Sequence, residues 1–451
     1  MRIFLELFLI SLVLGTKTPT RSPTFTPTRI PSRIPSRVPS GNPTLGPTRK
    51  PSAIPSSRPT IRPTTQPSRP TLSPSSPPSI KPTLAPSSIP SIAPTTTCPT
   101  VIEVTTGGSV SSVGYSSQHG KLKLNGVQLV DAFNNPIQLV GVATNHLGYF
   151  PLCYTFEAIQ NLVVNWGITV FRIAVYLDAN GYVNIPGGTL NKINDIVTWC
   201  QTLGIYVIIT WHVQPIGDPN YYLTTPGANT GPAIDFWKTM ATNYGNMNHV
   251  LYELADEPNG ITWNVALQYY NAVINVIRTI DPQTVILVGT TTWSQDIQNP
   301  YTTPVANPYN VMYTFHFFAG NHGYLYDLFV QYSTRIPLFV TLMGMSTYDG
   351  ANQPTYDVAN RFISVFAGST TSPSISWVIF SFGDGAALFT AVNNVDKNSI
   401  FQQGTCLSAD WANGMSCSGV YIKNKIRERR LLEATIANQC STIAEVTTGG
   451  S

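Results

Sequence analysis

Eight short apolar runs, separated by stretches with the period of a helix, occupy the chain between residues 122 and 427. The runs are 137–142, 170–174, 206–210, 250–254, 284–288, 311–315, 338–342 and 375–380. Strands that alternate with helices are typical of a parallel sheet, because every parallel connection needs a crossover. Eight such units over about 300 residues predict one (β/α)8 TIM barrel, an α/β fold.

The composition divides the rest of the chain unevenly. Residues 1–16 place Arg2 before an apolar run and two small residues, which is the pattern of a secretory signal peptide. Residues 17–100 repeat a short Pro-Ser or Pro-Thr phrase with almost no aromatic residues, so they cannot bury a core and predict a disordered stalk. The barrel domain is assigned to residues 101–430, and we expect a secreted, extracellular protein.

The net charge of +4 comes from the stalk. Twelve of the 26 basic residues but one of the 22 acidic residues precede residue 101, which leaves 14 basic and 21 acidic residues, a net charge of −7. This balance does not indicate nucleic acid, and no second apolar run approaches the roughly 20 residues that a membrane span needs. The basic stalk is either a solvated spacer or a contact to anionic wall polymers or extracellular matrix.

Six cysteines in a secreted chain permit up to three disulfides, and no pair has metal-ligand spacing. Cys406 and Cys417 would close the shortest loop. Cys98 and Cys440 begin two copies of a repeat, at 98–109 and 440–451, the second within a C-terminal segment assigned to 431–451. The copies indicate a former tandem unit, the start of another module, or segments that pair at the closed end of the barrel.

The phrase LYELADEPNG at 251–260 places a carboxylate, Glu257, directly after an apolar run and before a proline. Barrel enzymes carry their catalytic residues at such strand ends. A Glu-Pro pair alone more often marks a turn or a helix start.

The phrase resembles the fourth barrel strand of glycoside hydrolase family 5, the cellulase family, in which this glutamate is the acid/base. The resemblance covers the whole barrel and is strongest to bacterial secreted endo-β-1,4-glucanases. Similar phrases occur at 167–172 (GITVFR, ending at Arg172), 206–212 (YVIITWH), 288–296 (VGTTTWSQD) and 313–322 (YTFHFFAGNH). It implies a β-1,4-glucan-type polysaccharide as partner, with no cofactor and no metal.

One catalytic residue of the family is missing. The resemblance implies a nucleophilic glutamate in a phrase like Pro-Val-Phe-Val-Thr-Glu-Phe-Gly, whereas residues 337–344 read PLFVTLMG and place Leu342 there. Leucine has no lone pair to attack an anomeric carbon, so the double-displacement route is closed. Asp349 or Asp384 would be the replacement carboxylate of an enzyme that is still active, through inverting chemistry.

Other positions of the implied site also differ from the family. Asp256 stands where the family has an asparagine, Thr210 where it has an aspartate, and Phe318 where it has a tyrosine. Phe380 and Tyr149 each stand where it has a tryptophan, the second of them a platform for the sugar. The substrate-binding positions that the resemblance implies are Arg172, His212, Asp256, Trp293, His316, Phe318, Phe380 and Tyr149.

We expect a groove with aromatic and histidine side chains near its rim: Trp211, His212, Trp263, Trp293, His316, His322, Tyr149 and Phe380. Trp166, Trp199, Trp237 and Trp377 fit core positions instead. The leading hypothesis is a polysaccharide-binding pseudoenzyme, and the alternatives are an active β-glucanase with a relocated carboxylate or a stalk that is itself the functional part.

Overall fold

A computed structural model of the chain describes residues 114–148, 150, 152–178, 180–214, 216–224, 231–350, 354–383 and 416–448, with side chains of the last helix described to residue 433. The predicted signal peptide, the stalk, the first copy of the repeat, Tyr149 and Asp384 lie outside these residues.

Before the barrel, β1 (Lys123–Asn125) and β2 (Gln128–Val130) form an antiparallel hairpin. Gly126 lies in its turn with a φ of +61°, a conformation that glycine adopts without strain. The backbone N–H of Leu124 donates to Asn310 Oδ1 at 3.0 Å, and Leu122 and Leu129 pack into the cluster inside the barrel. Because Asn310 directly precedes a barrel strand, the hairpin covers the amino ends of the strands.

Eight parallel strands follow and close a barrel in chain order, which confirms the predicted fold. The last strand pairs with both the seventh and the first, and each predicted apolar run corresponds to one strand. The strands are β3 (Val140–Thr144), β4 (Val170–Tyr176), β5 (Tyr206–His212), β6 (Val250–Asp256), β7 (Ile286–Gly289), β8 (Val311–Phe318), β9 (Leu338–Gly344) and β10 (Trp377–Phe382).

At least one helix follows each barrel strand. After a short α1 (Tyr115–His119), the helices are α2 (Phe156–Asn161) continued by a π-helical turn (Leu162–Trp166), α3 (Pro186–Leu203), a 3-10 turn (Pro219–Tyr222), α4 (Pro232–Tyr244), α5 (Trp263–Ile280), α6 (Thr291–Ser294), α7 (Gln298–Thr302), a 3-10 turn (Gly323–Leu325), α8 (Tyr326–Tyr332), α9 (Tyr356–Phe366) and α10 (Cys417–Thr448). The last helix crosses residue 430, where the sequence placed the end of the barrel domain.

The strands are continuous apolar runs because both of their faces are covered. Leu139, Ile208 and Leu287 belong to the cluster inside the barrel, while Val207 and Leu254 belong to the larger cluster beneath the helices. Parallel sheets covered on both faces have this composition. Helix α5 shows the complementary pattern, with buried residues three or four positions apart along one face: Trp263, Ala266, Tyr269, Tyr270, Val273, Ile274 and Ile277.

The chain forms fewer disulfides than the three that its six cysteines would permit. Cys153 and Cys417 each take part in a disulfide, whereas Cys200 is a buried free thiol on α3. Five cysteines remain for pairing, so the chain forms at most two disulfides. Cys406, Cys98 and the side chain of Cys440 lie outside the described residues. None of the helices described is long and apolar enough to cross a membrane.

Candidate active site

Glu257 lies at the carboxyl end of the barrel, one residue beyond β6. Its φ is +55°, a left-handed conformation that is uncommon outside glycine. Its carbonyl oxygen accepts a hydrogen bond from Gln214 Nε2 at 2.8 Å, and the carbonyl oxygen of Pro258 accepts one from the backbone N–H of Trp293 at 3.1 Å. These bonds join Glu257 to the loops after β5 and β7. Its side chain is 18% exposed at the barrel mouth.

Bulges in β6 and β9 aim further side chains at this mouth. The register of β6 against β5 gains one residue before Asp256 pairs with His212, and that of β9 against β8 gains one before Leu342 pairs with His316. An extra residue breaks the strict alternation of a strand and redirects the side chain that follows. Both strands that carry the family's catalytic positions are therefore bulged directly before them.

Beneath the mouth, the guanidinium of Arg172 on β4 holds two carboxylates of β6. Its Nε donates to Glu253 Oε2 at 2.6 Å and its Nη2 donates to Asp256 Oδ1, and all three side chains are fully buried. Glu253 accepts two further hydrogen bonds, from Thr210 Oγ1 at 2.5 Å and Thr341 Oγ1 at 2.6 Å. Buried charges are stable only when they are paired and hydrogen-bonded in this way.

The pKa values of these carboxyl groups are set by two opposing effects. Burial is the largest single effect and raises the pKa of Asp256 and of Glu253, but the guanidinium of Arg172 and the neighbouring histidines together outweigh it and hold both pKa values below their ordinary range. His212 lowers the pKa of Asp256 further, since its Nε2 lies 2.9 Å from Asp256 Oδ2. Both carboxyl groups are ionised at neutral pH.

His316 on β8 connects the buried carboxylates to Glu257. Its Nδ1 lies 3.0 Å from Glu257 Oε1 and its Nε2 lies 2.8 Å from Thr341 Oγ1. Because the hydroxyl proton of Thr341 goes to Glu253, that hydroxyl accepts from Nε2, and Nδ1–H donates to Glu257. An imidazole with protons on both nitrogens carries a positive charge.

The pKa of His316 agrees with this assignment. Burial lowers it, but the carboxylates of Glu253, Glu257 and Asp256 outweigh burial and raise the pKa to about 9. Glu253 Oε1 and Asp256 Oδ1 each lie 3.8 Å from Nε2. His316 is therefore a cation at neutral pH.

Leu342 lies beside this cation and is 4% exposed. Its neighbours Val340 and Met343 pack outward against the helices, while the hydroxyl of Thr341 reaches Glu253 inside the barrel. The bulge thus places Leu342 in register with His316, and the leucine brings neither charge nor hydrogen-bonding atom to the site.

The imidazole of His212 stacks on an aromatic ring, an arrangement that the sequence did not reveal. The rings of Tyr176 and His212 stack with centroids 3.7 Å apart and planes 13° apart, and His146 stacks on the other side of Tyr176 at 4.6 Å. His146 Nε2 lies 2.8 Å from Asp178 Oδ1. The row of three rings fixes the imidazole of His212 against Asp256.

Only some of the side chains predicted for the aromatic rim are accessible. Trp293 is 49% exposed, and Phe318 and Phe380 are half-buried at the ends of β8 and β10. Trp211 and Trp263 are buried in the cluster beneath the helices, so the prediction that they lie at the rim was wrong. Their positions explain this: Trp211 points outward from β5, and Trp263 begins the buried face of α5.

The tryptophans predicted for the core are buried in three cases, Trp166, Trp237 and Trp377, whereas Trp199 is half-buried beneath the ammonium of Lys192. Phe318 has no hydroxyl, and its backbone N–H donates to His322 Nδ1 at 3.0 Å. The position of Tyr149 is not among the described residues.

Within the described part of the chain, Glu253, Asp256 and His316 each offer one ligand atom, and these atoms lie within 4.8 Å of one another. Arg172 already donates to both carboxylates, and His316 is protonated. A metal ion would have to displace two positive charges, so the geometry does not favour a cation here. The absence of a metal or cofactor remains a prediction.

Comparisons with known proteins identify the family. The family Cellulase (glycosyl hydrolase family 5) matches residues 130–385, more than half of the chain. The chain belongs to glycoside hydrolase family 5. The match contains β3 to β10 and every described residue of the predicted site.

Individual relatives are endoglucanases and cellulases. Endoglucanase E-5 of Thermobifida fusca is 32% identical over 320 residues, which cover 69% of this chain and 64% of that protein. Among solved structures, Cellulase Cel5C_n has a TM-score of 0.60 at 37% identity and covers 68% of this chain and 92% of its own. A variant of the catalytic domain of Thermobifida fusca endoglucanase Cel5A, in complex with cellotetraose, has a TM-score of 0.61 at 29% identity, with coverages of 69% and 99%.

Proposed function

We propose that this family 5 protein is secreted, binds β-1,4-glucan, and hydrolyses it weakly or not at all. The observation that carries the proposal is Leu342 at the end of β9, in register with His316. Retaining glycosidases need two carboxyl groups roughly 5 to 5.5 Å apart, one as acid and one as nucleophile. Glu257 supplies the first, and leucine cannot form the glycosyl ester that the second would form.

The carboxylates near Leu342 that the structure describes are poor replacements. Glu253 is fully buried and accepts hydrogen bonds from Arg172, Thr210 and Thr341. Asp256 is equally buried and engaged by the same arginine. Neither reaches a polysaccharide without breaking a buried ion pair, which costs about 3 to 5 kcal/mol.

A binding role is supported by the groups that remain at the mouth. Trp293 presents an exposed indole, and it is joined through its backbone to the loop of Glu257. Large aromatic faces with a polar edge suit contact with sugar rings. A relative of similar fold was solved with cellotetraose, and we extend that ligand class to this chain.

The alternative is an active endo-β-1,4-glucanase with a relocated carboxylate. Asp349 favours it, because this residue is exposed on the loop after β9, seven positions beyond Leu342. Asp384, the other candidate, lies outside the described residues. An inverting route would need the new carboxylate roughly 6.5 to 9.5 Å from Glu257.

Affinity electrophoresis of the full chain through gels with and without soluble β-1,4-glucan tests the binding. We expect the glucan to retard the protein, and Trp293→Ala to reduce the retardation. Tyr309→Ala is the matched control, because Tyr309 is also exposed (58%) but precedes β8, at the opposite end of the barrel. Equal migration with and without glucan contradicts the proposal.

The basic stalk is the part of the chain that would retain the protein at the wall or matrix. We propose that residues 17–100 hold the protein to anionic wall or matrix polymers by unspecific electrostatics. Deleting this segment should abolish retention on an anionic matrix at low salt without changing the retardation by glucan. Retention that persists after the deletion would exclude an anchoring role.

A further inference from the structure

Asp256 is in contact with positively charged or proton-bearing groups from three strands. Its Oδ1 accepts from Arg172 Nη2 and lies 3.8 Å from His316 Nε2, and its Oδ2 lies 2.9 Å from His212 Nε2. The side chain of Asp256 is fully buried. Its charge is therefore shared among several buried partners rather than screened by water.

The network around Asp256 sets three carboxylates, Asp256, Glu253 and Glu257, against the two cations Arg172 and His316. Arg172 is fully buried, and within the described part of the chain its Nη1 has no hydrogen-bond partner. Glu253 is the other carboxylate on Arg172, and it also faces His316. Without the charge of Asp256, the arginine and the protonated histidine would share Glu253, and only the histidine would still have Glu257.

Leu342 occupies a second position at which a carboxylate would face His316. Both Leu342 and Asp256 follow a bulge, and both lie next to His316, one by strand pairing and one by side-chain contact. A carboxylate at both positions would place like charges beside Glu257 and Glu253 in a site of low exposure. Like charges in such a site disfavour ionisation and destabilise the fold.

We propose that Asp256 supplies the counter-charge that position 342 lacks, so that the two positions form one electrostatic unit holding a single carboxylate. Asp256 acts as a positioning residue: it keeps Arg172, His212 and His316 in place although the nucleophile is absent. A carboxylate restored at 342 fits the network only when the one at 256 is removed. This inference does not depend on glucan binding.

The test is a double-mutant cycle on the unfolding of the full chain at pH 7, comparing the native chain, Asp256→Asn, Leu342→Glu and the double variant. We expect each single substitution to raise the unfolding equilibrium constant at least about tenfold. The double variant should be more stable than the product of the single effects predicts, again by at least about tenfold. If the effect of the double variant on the unfolding equilibrium constant equals the product of the two single effects to within about threefold, the proposal is overturned.

Leu342→Gln is the matched control, because glutamine has the shape and polarity of glutamate without its charge. The proposal expects no coupling between Leu342→Gln and Asp256→Asn. Equal coupling for glutamine and glutamate would show that packing, not charge, links the positions, and would overturn it.

Acid titration of Asp256→Asn provides a second readout if the glutamate variants do not fold. The depressed pKa of Asp256 means that its ionisation stabilises the fold above the unfolded pKa of about 3.9, and that this contribution is lost as the pH falls. The deficit of Asp256→Asn relative to the native chain should therefore shrink between pH 5 and pH 2. A deficit that does not change with pH overturns the proposal.

Discussion

His316 makes the stability of this protein depend on pH in a range where few groups titrate. Its pKa is raised to about 9, whereas a histidine in an unfolded chain has a pKa of about 6.5. Its charge therefore stabilises the fold fully below about pH 6.5, and this contribution is lost as the pH rises through 9. The difference between these two pKa values corresponds to about 3 kcal/mol, and the side chain is only 2% exposed, so solvent screens little of it.

The assay is chemical unfolding of the full chain at pH values from 6 to 8, below the ordinary titration of cysteine and tyrosine. Between pH 7 and pH 8 the free energy of unfolding should fall by about 1 kcal/mol, because the folded state keeps most of a proton that the unfolded state has largely released. His316→Gln should remove this slope.

The control is His249→Gln. Burial lowers the pKa of His249, so its linkage lies at and below the unfolded pKa of about 6.5, and the slope above pH 7 should not change. A flat profile in the native chain, or the same slope in His316→Gln, would refute the reasoning that the carboxylates of β6 and Glu257 keep His316 charged.

Four further predictions concern the site and the core. Leu342→Glu combined with Asp256→Asn should release reducing ends from soluble β-1,4-glucan at least about a hundredfold faster than Leu342→Glu alone, since only the double variant balances the buried charges; equal rates would contradict this. Trp293→Ala should weaken glucan binding about tenfold or more in affinity electrophoresis, and an unchanged dissociation constant would remove the indole from the binding surface. Glu253→Gln should lower the free energy of unfolding by about 3 to 5 kcal/mol in denaturant titration, because Arg172 would keep only Asp256; a loss below about 1 kcal/mol would show that the ion pair is not important for stability. Cys200 should react with a thiol reagent only in denaturant, because it is buried and burial raises its pKa, and rapid labelling at Cys200 itself in the native chain, located by peptide mapping, would contradict its burial.

The barrel was predictable because its strands are covered on both faces. A strand such as β6 has no solvent side, so it appears in the sequence as an apolar run that ends in polar residues. Glu257 could be located for the same reason, because it follows β6 directly, whereas Leu342 was located through the resemblance to the family, since β9 continues to Gly344 beyond it. The sequence also showed which residue types differ from the family at 256, 318 and 380.

What the sequence could not show was the direction of side chains around the bulges. Trp211 and His212 are adjacent on β5, yet one is buried beneath the helices and the other faces Asp256. Glu253 was missed, although a charged residue inside an apolar run is itself a signal, because a buried carboxylate requires a buried cation. Its partner Arg172 lies 81 positions away, and only the closed barrel brings the two together.

The most direct test of the central claim is reducing-end release from soluble β-1,4-glucan by the native full chain, measured over long incubations beside Glu257→Gln. We expect the native chain to release few reducing ends or none beyond those of the variant, although glucan still retards it in affinity electrophoresis. Substantial hydrolysis by the native chain that Glu257→Gln abolishes would contradict weak or absent activity and would make a relocated carboxylate the nucleophile or base.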